Sequence, residues 1–162
     1  MNTPNQPSPY HRIRCLEVRG GFLDGLEVDF DAHLNCVIGG RGTGKTTVIE
    51  FLRFALKDGS EQGEGTKRAR DAQKLIASNL KSGHVRVGVE SREGMRYTVV
   101  RSAGEKASVL DQHGNPTNLS LSHGTIFDVD VFSAHQIENI ATTPTEQLEL
   151  IDRFVQDELR QL

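Results

Sequence analysis

No stretch of the sequence approaches the roughly 20 consecutive apolar residues that a membrane span requires. Residues 1–9 are polar and contain three prolines, whereas a secretory signal has a basic segment followed by an apolar one. We therefore expect residues 1–10 to form a disordered lead, and we expect a cytoplasmic protein without a membrane partner.

Cysteine is also scarce, which argues against a cysteine-based metal site. The two cysteines, Cys15 and Cys36, show no CxxC spacing, and the six histidines are scattered along the chain. Each cysteine falls within a predicted strand. We expect both to be buried structural residues, as suits a reducing compartment.

Charge of one sign does not dominate the chain, whose formal net charge is −3. Residues 67–101 are nonetheless basic, with nine Lys or Arg against three acids, whereas residues 127–162 carry eight acids and two arginines. A basic segment can bind a phosphate backbone. The segment from Lys67 to Arg101 is therefore a candidate DNA contact, although a solvated helix face followed by a hairpin explains the same pattern.

The clearest positive signal is a glycine-rich loop that follows an apolar run. Residues 39–46 read GGRGTGKT, which matches the phosphate-binding pattern G-x-x-x-x-G-K-[ST]. Glycines let the backbone curl so that several N–H groups point at one anion, and the following helix directs its positive end at the same phosphates. The predicted nucleotide contacts are Gly39, Gly40, Arg41, Gly42, Thr43, Gly44, Lys45, Thr46 and Thr47.

Two side chains of this loop have specific chemical roles. Lys45 is predicted to reach the β- and γ-phosphates and to stabilise charge during phosphoryl transfer. Thr46 is predicted to bind Mg²⁺ through its hydroxyl. The chain has 162 residues, of which 36% are hydrophobic, and this suffices for one domain around this site.

The spacing of apolar residues predicts an α/β arrangement. Residues 12–18 and 26–30 alternate and predict a strand pair, whereas residues 34–38 predict a central strand that is buried on both faces. A nearly buried helix should begin at Lys45, and a basic helix capped by Thr66 should end at Ser82-Gly83. Residues 85–89, 97–100 and 108–111 predict an antiparallel unit.

The last part of the sequence predicts a strand and a helix that leaves the domain. Residues 126–132 predict a strand that returns to the core, and residues 143–146 form a capping box with proline at the first helical position. The spacing of apolar residues in this helix is typical of a seam with another helix, and an internal helix is the alternative. These apolar residues are Leu148, Ile151, Val155, Leu159 and Leu162.

This order of elements resembles the N-terminal lobe of an ABC-type ATPase head of the SMC, RecF and RecN class, and the loop GGRGTGKT most resembles that of bacterial TrlF-like AAA ATPases. The resemblance implies an α/β P-loop NTPase fold with a mixed core sheet, an antiparallel β subunit and a C-terminal helix that starts a coiled coil. It places the lobe at residues 11–142, with an antiparallel insert at about 84–120, and a coiled-coil or partner helix at 143–162. The implied activity is ATP hydrolysis in DNA repair, chromosome maintenance or phage defence.

The resemblance also gives a role to Gln136. This residue follows the predicted strand at 126–132 and matches the glutamine loop of the family, which contacts Mg²⁺ and the attacking water. Lys45 and Gln136 are thus the implied catalytic residues. Thr46 and Gln136 are the implied metal ligands, and ATP and Mg²⁺ are the implied cofactors.

Two family motifs are missing from the sequence. No LSGGQ-like signature is present, and no apolar run ends in Asp-Glu; Asp128 and Asp130 are weak candidates for a Walker B acid. We therefore expect the chain to bind ATP with little or no turnover alone. Hydrolysis should require a C-terminal lobe and a second head, most simply in a homodimer, and a nuclease or effector is a further candidate partner.

Two other function classes fit parts of the sequence. A stand-alone small-molecule kinase would use Arg68 and Arg70 in a lid; the antiparallel hairpins argue against it, and a phosphorylated acceptor would identify it. A DNA-binding module would use residues 67–101 and keep the nucleotide site for regulation. A GTPase is disfavoured, because the sequence has no Asn-Lys-x-Asp motif to read guanine.

Overall fold

The computed structural model describes residues 10–57, 67–121, 127, 129–132 and 134–159, without the side chains of residues 67–69, 134–136, 153, 154 and 156–159. The chain divides into two compact units, Met1–Val129 and Asp130–Leu162. The first unit contains the sheet and the glycine-rich loop. The second contains two helices.

The first unit is built on a five-stranded sheet. Its strands are β1 (Arg12–Arg19), β2 (Glu27–Asp29), β3 (His84–Glu90), β4 (Arg96–Ser102) and β5 (Ser108–Leu110). They lie in the order β2-β1-β3-β4-β5, and each of the four pairings is antiparallel. The predicted hairpins are therefore confirmed. The predicted mixed core sheet is wrong for the described residues, because the expected central strand at 34–38 does not form.

Two helices complete the core on one face of this sheet. Helix α1 (Lys45–Leu56) packs on β3 and β4, and helix α2 (Lys67–Leu80) packs beside α1. Strand β3 presents its valines to this face, since side chains alternate between the faces of a strand. The buried apolar core comprises Leu16, Val18, Phe51, Leu52, Ala55, Leu56, Ile76, Leu80, Val85, Val87, Val89, Val99, Val109 and Phe127. The nearly buried helix predicted from Lys45 is confirmed.

The segment at residues 34–38 differs from its prediction. It has no strand pairing among the described residues, and Leu34 and Ile38 are 89% and 90% exposed. A turn precedes it, in which the Asp31 N–H donates to Asn35 Oδ1 and Asn35 Nδ2 donates back to the Asp31 carbonyl. Cys36 is exposed and Cys15 is half-buried, so the prediction that Cys36 is buried is also wrong.

The strand predicted at residues 126–132 is not observed in the part of this segment that is described. Phe127 is buried in the core, but residues 127 and 129–132 have no strand pairing. Ile126 and Asp128 lie outside the described residues, as does Thr66, the predicted cap of α2. The apolar pattern of this segment therefore did not determine its backbone conformation.

The second unit consists of helices α3 (Ala134–Thr142) and α4 (Pro144–Leu159), which contact each other. Helix α4 begins at the proline that the capping box predicted. Leu148, Ile151 and Val155 are between 48% and 60% exposed, so these seam positions have open apolar surface. The coiled coil and the predicted domain boundaries stay predictions.

Candidate nucleotide-binding site

The glycine-rich loop leads directly into the first turn of α1. Gly42 and Gly44 have φ angles of 81° and 89°, a left-handed conformation that residues with a side chain rarely adopt. Gly44 is the residue that precedes the helix, and no side chain caps the helix there. The loop therefore reaches the helix end with no bulky group in front of it.

The start of α1 offers hydrogen-bond donors to an anion. The first N–H groups of any α-helix have no partner within the helix, and the helix dipole adds a partial positive charge at that end. No acidic side chain lies in the first turn of α1 to offset this charge. Backbone and dipole together therefore favour a phosphate at this position.

Lys45 adds a full positive charge to the same place. Its Nζ donates to the carbonyl oxygens of Gly39 and Gly40, at 2.8 Å and 2.5 Å. The Thr43 hydroxyl donates to the Gly40 carbonyl at 2.9 Å. These bonds hold the ammonium group over the loop, where an incoming phosphate would exchange with neutral carbonyl acceptors and form stronger, charge-assisted bonds.

A small cavity of about 180 Å³ lies at this helix end. Most of the predicted contacts line it, and Thr46 is exposed whereas Thr47 is buried. The predicted contacts that line the cavity are Gly42, Thr43, Gly44, Lys45, Thr46 and Thr47. The other three, Gly39, Gly40 and Arg41, belong to the adjoining loop, and Gly39 and Gly40 take part through their bonds to Lys45.

One lining residue, Phe22, could not be predicted from the motif. Phe22 is 58% exposed, and its Cε1 atom would lie 3.4 Å from a Cβ atom added at Gly44. The Phe22 N–H donates to the Asn79 carbonyl at 2.7 Å. This bond requires the backbone of Gly21 to lie against α2, where an added Cβ would be 1.8 Å from the Asn79 oxygen. The only signal in the sequence is the Gly20-Gly21 pair.

Comparison with known proteins identifies the family. The sequence matches the AAA domain family over residues 12–161. The chain belongs to the AAA domain family. This match, with the two relatives described next, confirms the predicted N-terminal ATPase lobe of the ABC and SMC-like type. The TrlF-like detail stays a prediction.

Two curated relatives of this AAA domain are DNA repair proteins by name. The DNA double-strand break repair Rad50 ATPase of Thermoplasma acidophilum is 32% identical over 75 residues, which cover 46% of the chain and 7% of the relative. The DNA replication and repair protein RecF of Lachnospira eligens is 23% identical over 138 residues, which cover 85% of the chain and 35% of the relative. The chain thus spans about a third or less of each relative's length.

The chain is also similar to a solved structure, that of the recombination mediator protein RecF-ATP in the RecFOR pathway. The match covers 90% of this chain and 39% of the RecF chain. The TM-score is 0.48 and the sequence identity is 17%.

Within the described residues, no helix of this AAA domain is long and apolar enough to cross a membrane.

The structure places Gln136 in the second unit. It is the third residue of α3. The described residues before α3, 127 and 129–132, form no strand, whereas the sequence predicted one at 126–132. Its side chain lies outside the described residues. Gln136 belongs to a different unit from Lys45 and Thr46, and its catalytic and metal-binding roles stay predictions.

The basic segment from Lys67 to Arg101 is divided between different surfaces. Its first basic residues belong to α2, whereas Arg86 and Arg96 belong to β3 and β4. Arg101 pairs in register with Val85, so its side chain lies on the core face of the sheet. Its Nη1 donates to the carbonyls of Phe54 and Lys57 at the end of α1, at 2.7 Å and 2.9 Å. The predicted segment is therefore not one contact surface.

Proposed function

We propose that this AAA domain is the ATP-binding lobe of an SMC/RecF-like ATPase that acts in DNA repair, with chromosome maintenance or phage defence as related settings. The observation that carries the proposal is the phosphate-binding loop at the N-terminus of α1, with the Lys45 ammonium held over it at 2.8 Å and 2.5 Å from two loop carbonyls. The names of the Rad50 and RecF relatives support the setting of DNA repair.

The residues present fit ATP and Mg²⁺. Lys45 and the N–H groups of the first turn would hold the phosphates, and the exposed hydroxyl of Thr46 would hold the metal. Mg²⁺ would neutralise phosphate charge, since it binds with few protein ligands and with substrate phosphates. The exposed ring of Phe22, which lines the same cavity, offers a surface on which the base can stack.

We further propose that a C-terminal lobe completes the site, and the exposed segment at residues 34–38 supports this proposal. Leu34 and Ile38 lie almost fully in solvent, and burying each such side chain would contribute about 1.5–3 kcal/mol. The segment directly precedes the phosphate-binding loop. A strand that pairs with it would therefore bury these side chains and fix the loop from its N-terminal side.

An ATP-binding assay on the full chain tests the proposal. Calorimetric titration with ATP and Mg²⁺ should show binding. Lys45→Ala should weaken the ATP affinity at least about ten-fold, because a charge-assisted contact is lost. The control Lys74→Ala, on the exposed surface of α2, should leave the ATP affinity unchanged. Equal affinity in the wild type and in Lys45→Ala would refute the assignment of the loop.

A steady-state assay tests the expected incompleteness. We expect the chain alone to hydrolyse fewer than about one ATP per second, which is the lower end of typical kcat values for enzymes. Faster turnover would show that the chain holds its own catalytic acid. Analytical ultracentrifugation with and without ATP tests whether a second copy of the chain supplies the second head. If it does, ATP should raise the fraction of homodimer. A nuclease or effector partner stays a prediction.

A further inference from the structure

The face of the sheet opposite α1 contains a groove lined by arginines from three strands. The groove has a volume of about 600 Å³. Arg14 comes from β1, Arg86 from β3 and Arg96 from β4, and Gly88 lies in the strand between them. Thr98 in β4 and Asp111 directly after β5 also line the groove.

A buried carboxylate holds two of these arginines in place. Glu90 is 5% exposed, and its Oε2 accepts hydrogen bonds from Arg14 at 2.7 Å and from Arg96 at 3.1 Å. Its other oxygen, Oε1, forms an ion pair with Arg12 at 2.6 Å. One carboxylate therefore holds three guanidinium groups, and each guanidinium has five N–H donors. Among the described residues, each of the three guanidinium groups uses one N–H group for Glu90.

The arginine side chains remain accessible. Arg14, Arg86 and Arg96 are 38%, 43% and 51% exposed. Among the described residues, no group accepts a hydrogen bond from the buried Nε of Arg86, and the nearest ion-pair partner, Glu17 Oε2, is 3.7 Å away. A ligand that brings acceptor oxygens into the groove would satisfy this donor.

The charges that line the groove favour an anion. The lining residues include three arginines and one acid, Asp111, and a second acid, Glu17, lies 3.7 Å from Arg86 at the edge of the groove. The Asp111 carboxylate is engaged in its own turn, where Oδ1 accepts the N–H groups of His113 and Asn115 at 2.8 Å each. Glu90 lies beneath the arginines and offsets one charge. Arg14 and Arg96 are thus planar donors fixed by Glu90, and Arg86 adds a third guanidinium group. Such planar donors match phosphate oxygens bidentately.

We propose that this groove binds the phosphodiester backbone of a nucleic acid through Arg14, Arg86 and Arg96. The inference rests on the proposed role in DNA repair and replaces the linear segment from Lys67 to Arg101 as the contact surface. Because Glu90 fixes the guanidinium groups of Arg14 and Arg96 before binding, little entropy of these two side chains is lost when the phosphodiester backbone docks. The Thr98 hydroxyl adds a donor to the groove.

Salt-dependent binding tests the proposal with two matched double variants of the full chain. Arg14→Gln with Arg86→Gln removes two charges from the groove. Lys74→Gln with Lys81→Gln removes two charges from exposed positions of the linear segment. Fluorescence anisotropy with a labelled 30-base-pair DNA duplex, and with an RNA duplex of the same length, is measured between 50 and 200 mM salt.

The groove variant should bind about ten-fold more weakly at low salt than the wild type. Its affinity should also fall about twelve-fold less between 50 and 200 mM salt, because two phosphate contacts contribute about 1.8 to the logarithmic slope. The variant Lys74→Gln with Lys81→Gln should keep the wild-type affinity. Arg14→Lys with Arg86→Lys should keep the slope and lose part of the affinity, since charge remains and the planar fork is lost.

Three outcomes would overturn the proposal. The first is an equal loss of affinity in the groove variant and in Lys74→Gln with Lys81→Gln. The second is a loss of affinity only in Lys74→Gln with Lys81→Gln. The third is that the wild type shows no salt-dependent binding of either duplex. The duplex that binds more tightly shows whether the groove prefers DNA or RNA. ATP titration of each variant is the control, because unchanged ATP affinity shows that the fold is intact and separates a failure of the groove from a failure of the nucleotide site.

Discussion

Replacing Glu90 with glutamine removes the charge at the centre of the arginine cluster without changing the size of the side chain. In the native protein, burial raises the pKa of Glu90, but hydrogen bonds from Arg14, Arg96 and Arg12 outweigh burial and hold this pKa below its ordinary value. The ionised carboxylate is therefore more favourable in the folded state than in the unfolded chain. Glu90 should stabilise the fold as long as it is charged.

The magnitude follows from the exposure of the partners. Removing one member of a fully buried ion pair costs about 3–5 kcal/mol. Arg12, Arg14 and Arg96 are 30%, 38% and 51% exposed, so water replaces part of what they lose, and the glutamine carbonyl still accepts one bond. We expect Glu90→Gln to lower the free energy of unfolding by about 2 kcal/mol at neutral pH, measured by urea unfolding.

The pH dependence gives a sharper test. A carboxyl whose pKa is lowered on folding stabilises the protein above its unfolded pKa, about 4.3 for Glu, and loses this contribution as the pH falls through its folded pKa. The difference between the wild type and Glu90→Gln should therefore be constant from pH 7 to about 5 and should shrink on further acidification. Other carboxyls with lowered pKa, such as Asp31 and Asp111, titrate in both proteins and cancel.

The matched control is Glu105→Gln, which removes the charge of an exposed glutamate and should change the unfolding free energy by less than about 0.5 kcal/mol. If Glu90→Gln is equally mild, or if its difference from the wild type does not depend on pH, the reasoning about a buried carboxylate that fixes three arginines is refuted.

Three further predictions concern the nucleotide site and the core. Phe22→Ala should weaken ATP binding about ten-fold and leave the affinity for inorganic triphosphate unchanged, since base stacking on an aromatic ring is worth about 1–3 kcal/mol; an equal effect on both ligands in calorimetry would contradict a base contact. Gly21→Ala should lower the melting temperature and weaken ATP binding, because an added Cβ would lie 1.8 Å from the Asn79 oxygen; a wild-type melting curve would show that this approach is not tight. Phe51→Ala should destabilise by about 3–5 kcal/mol in urea, because Phe51 is fully buried, and a loss below about 1 kcal/mol would contradict its place in the core.

Local features of the fold were predictable from the sequence. The start of α1 at Lys45 and the start of α4 at Pro144 agree with the motif and with the capping box. The hairpin of β3 and β4 agrees with the alternation of valines. Each of these depends on residues that are close in sequence, where side-chain spacing directly determines backbone conformation.

The strand predicted at residues 34–38 shows where this reasoning fails. A continuous apolar run indicates a strand buried on both faces only when neighbouring strands cover it. The described residues supply no such neighbour, and Leu34 and Ile38 remain in solvent. The apolar sequence is therefore a property of this segment alone, whereas its conformation depends on what pairs with it.

The sequence by itself determined that the chain has a phosphate-binding loop, an antiparallel sheet and an excess of basic residues in its middle. Only the tertiary structure decided which basic residues lie together. Residues on paired strands share a face according to their register, so Arg101 lies opposite Val85 on the core face, whereas Arg96 lies opposite Glu90 on the other. Arg14, distant in sequence, joins Arg96 at the same carboxylate. Proximity in sequence therefore did not predict the contact surface, because strand pairing brings together residues that the chain separates.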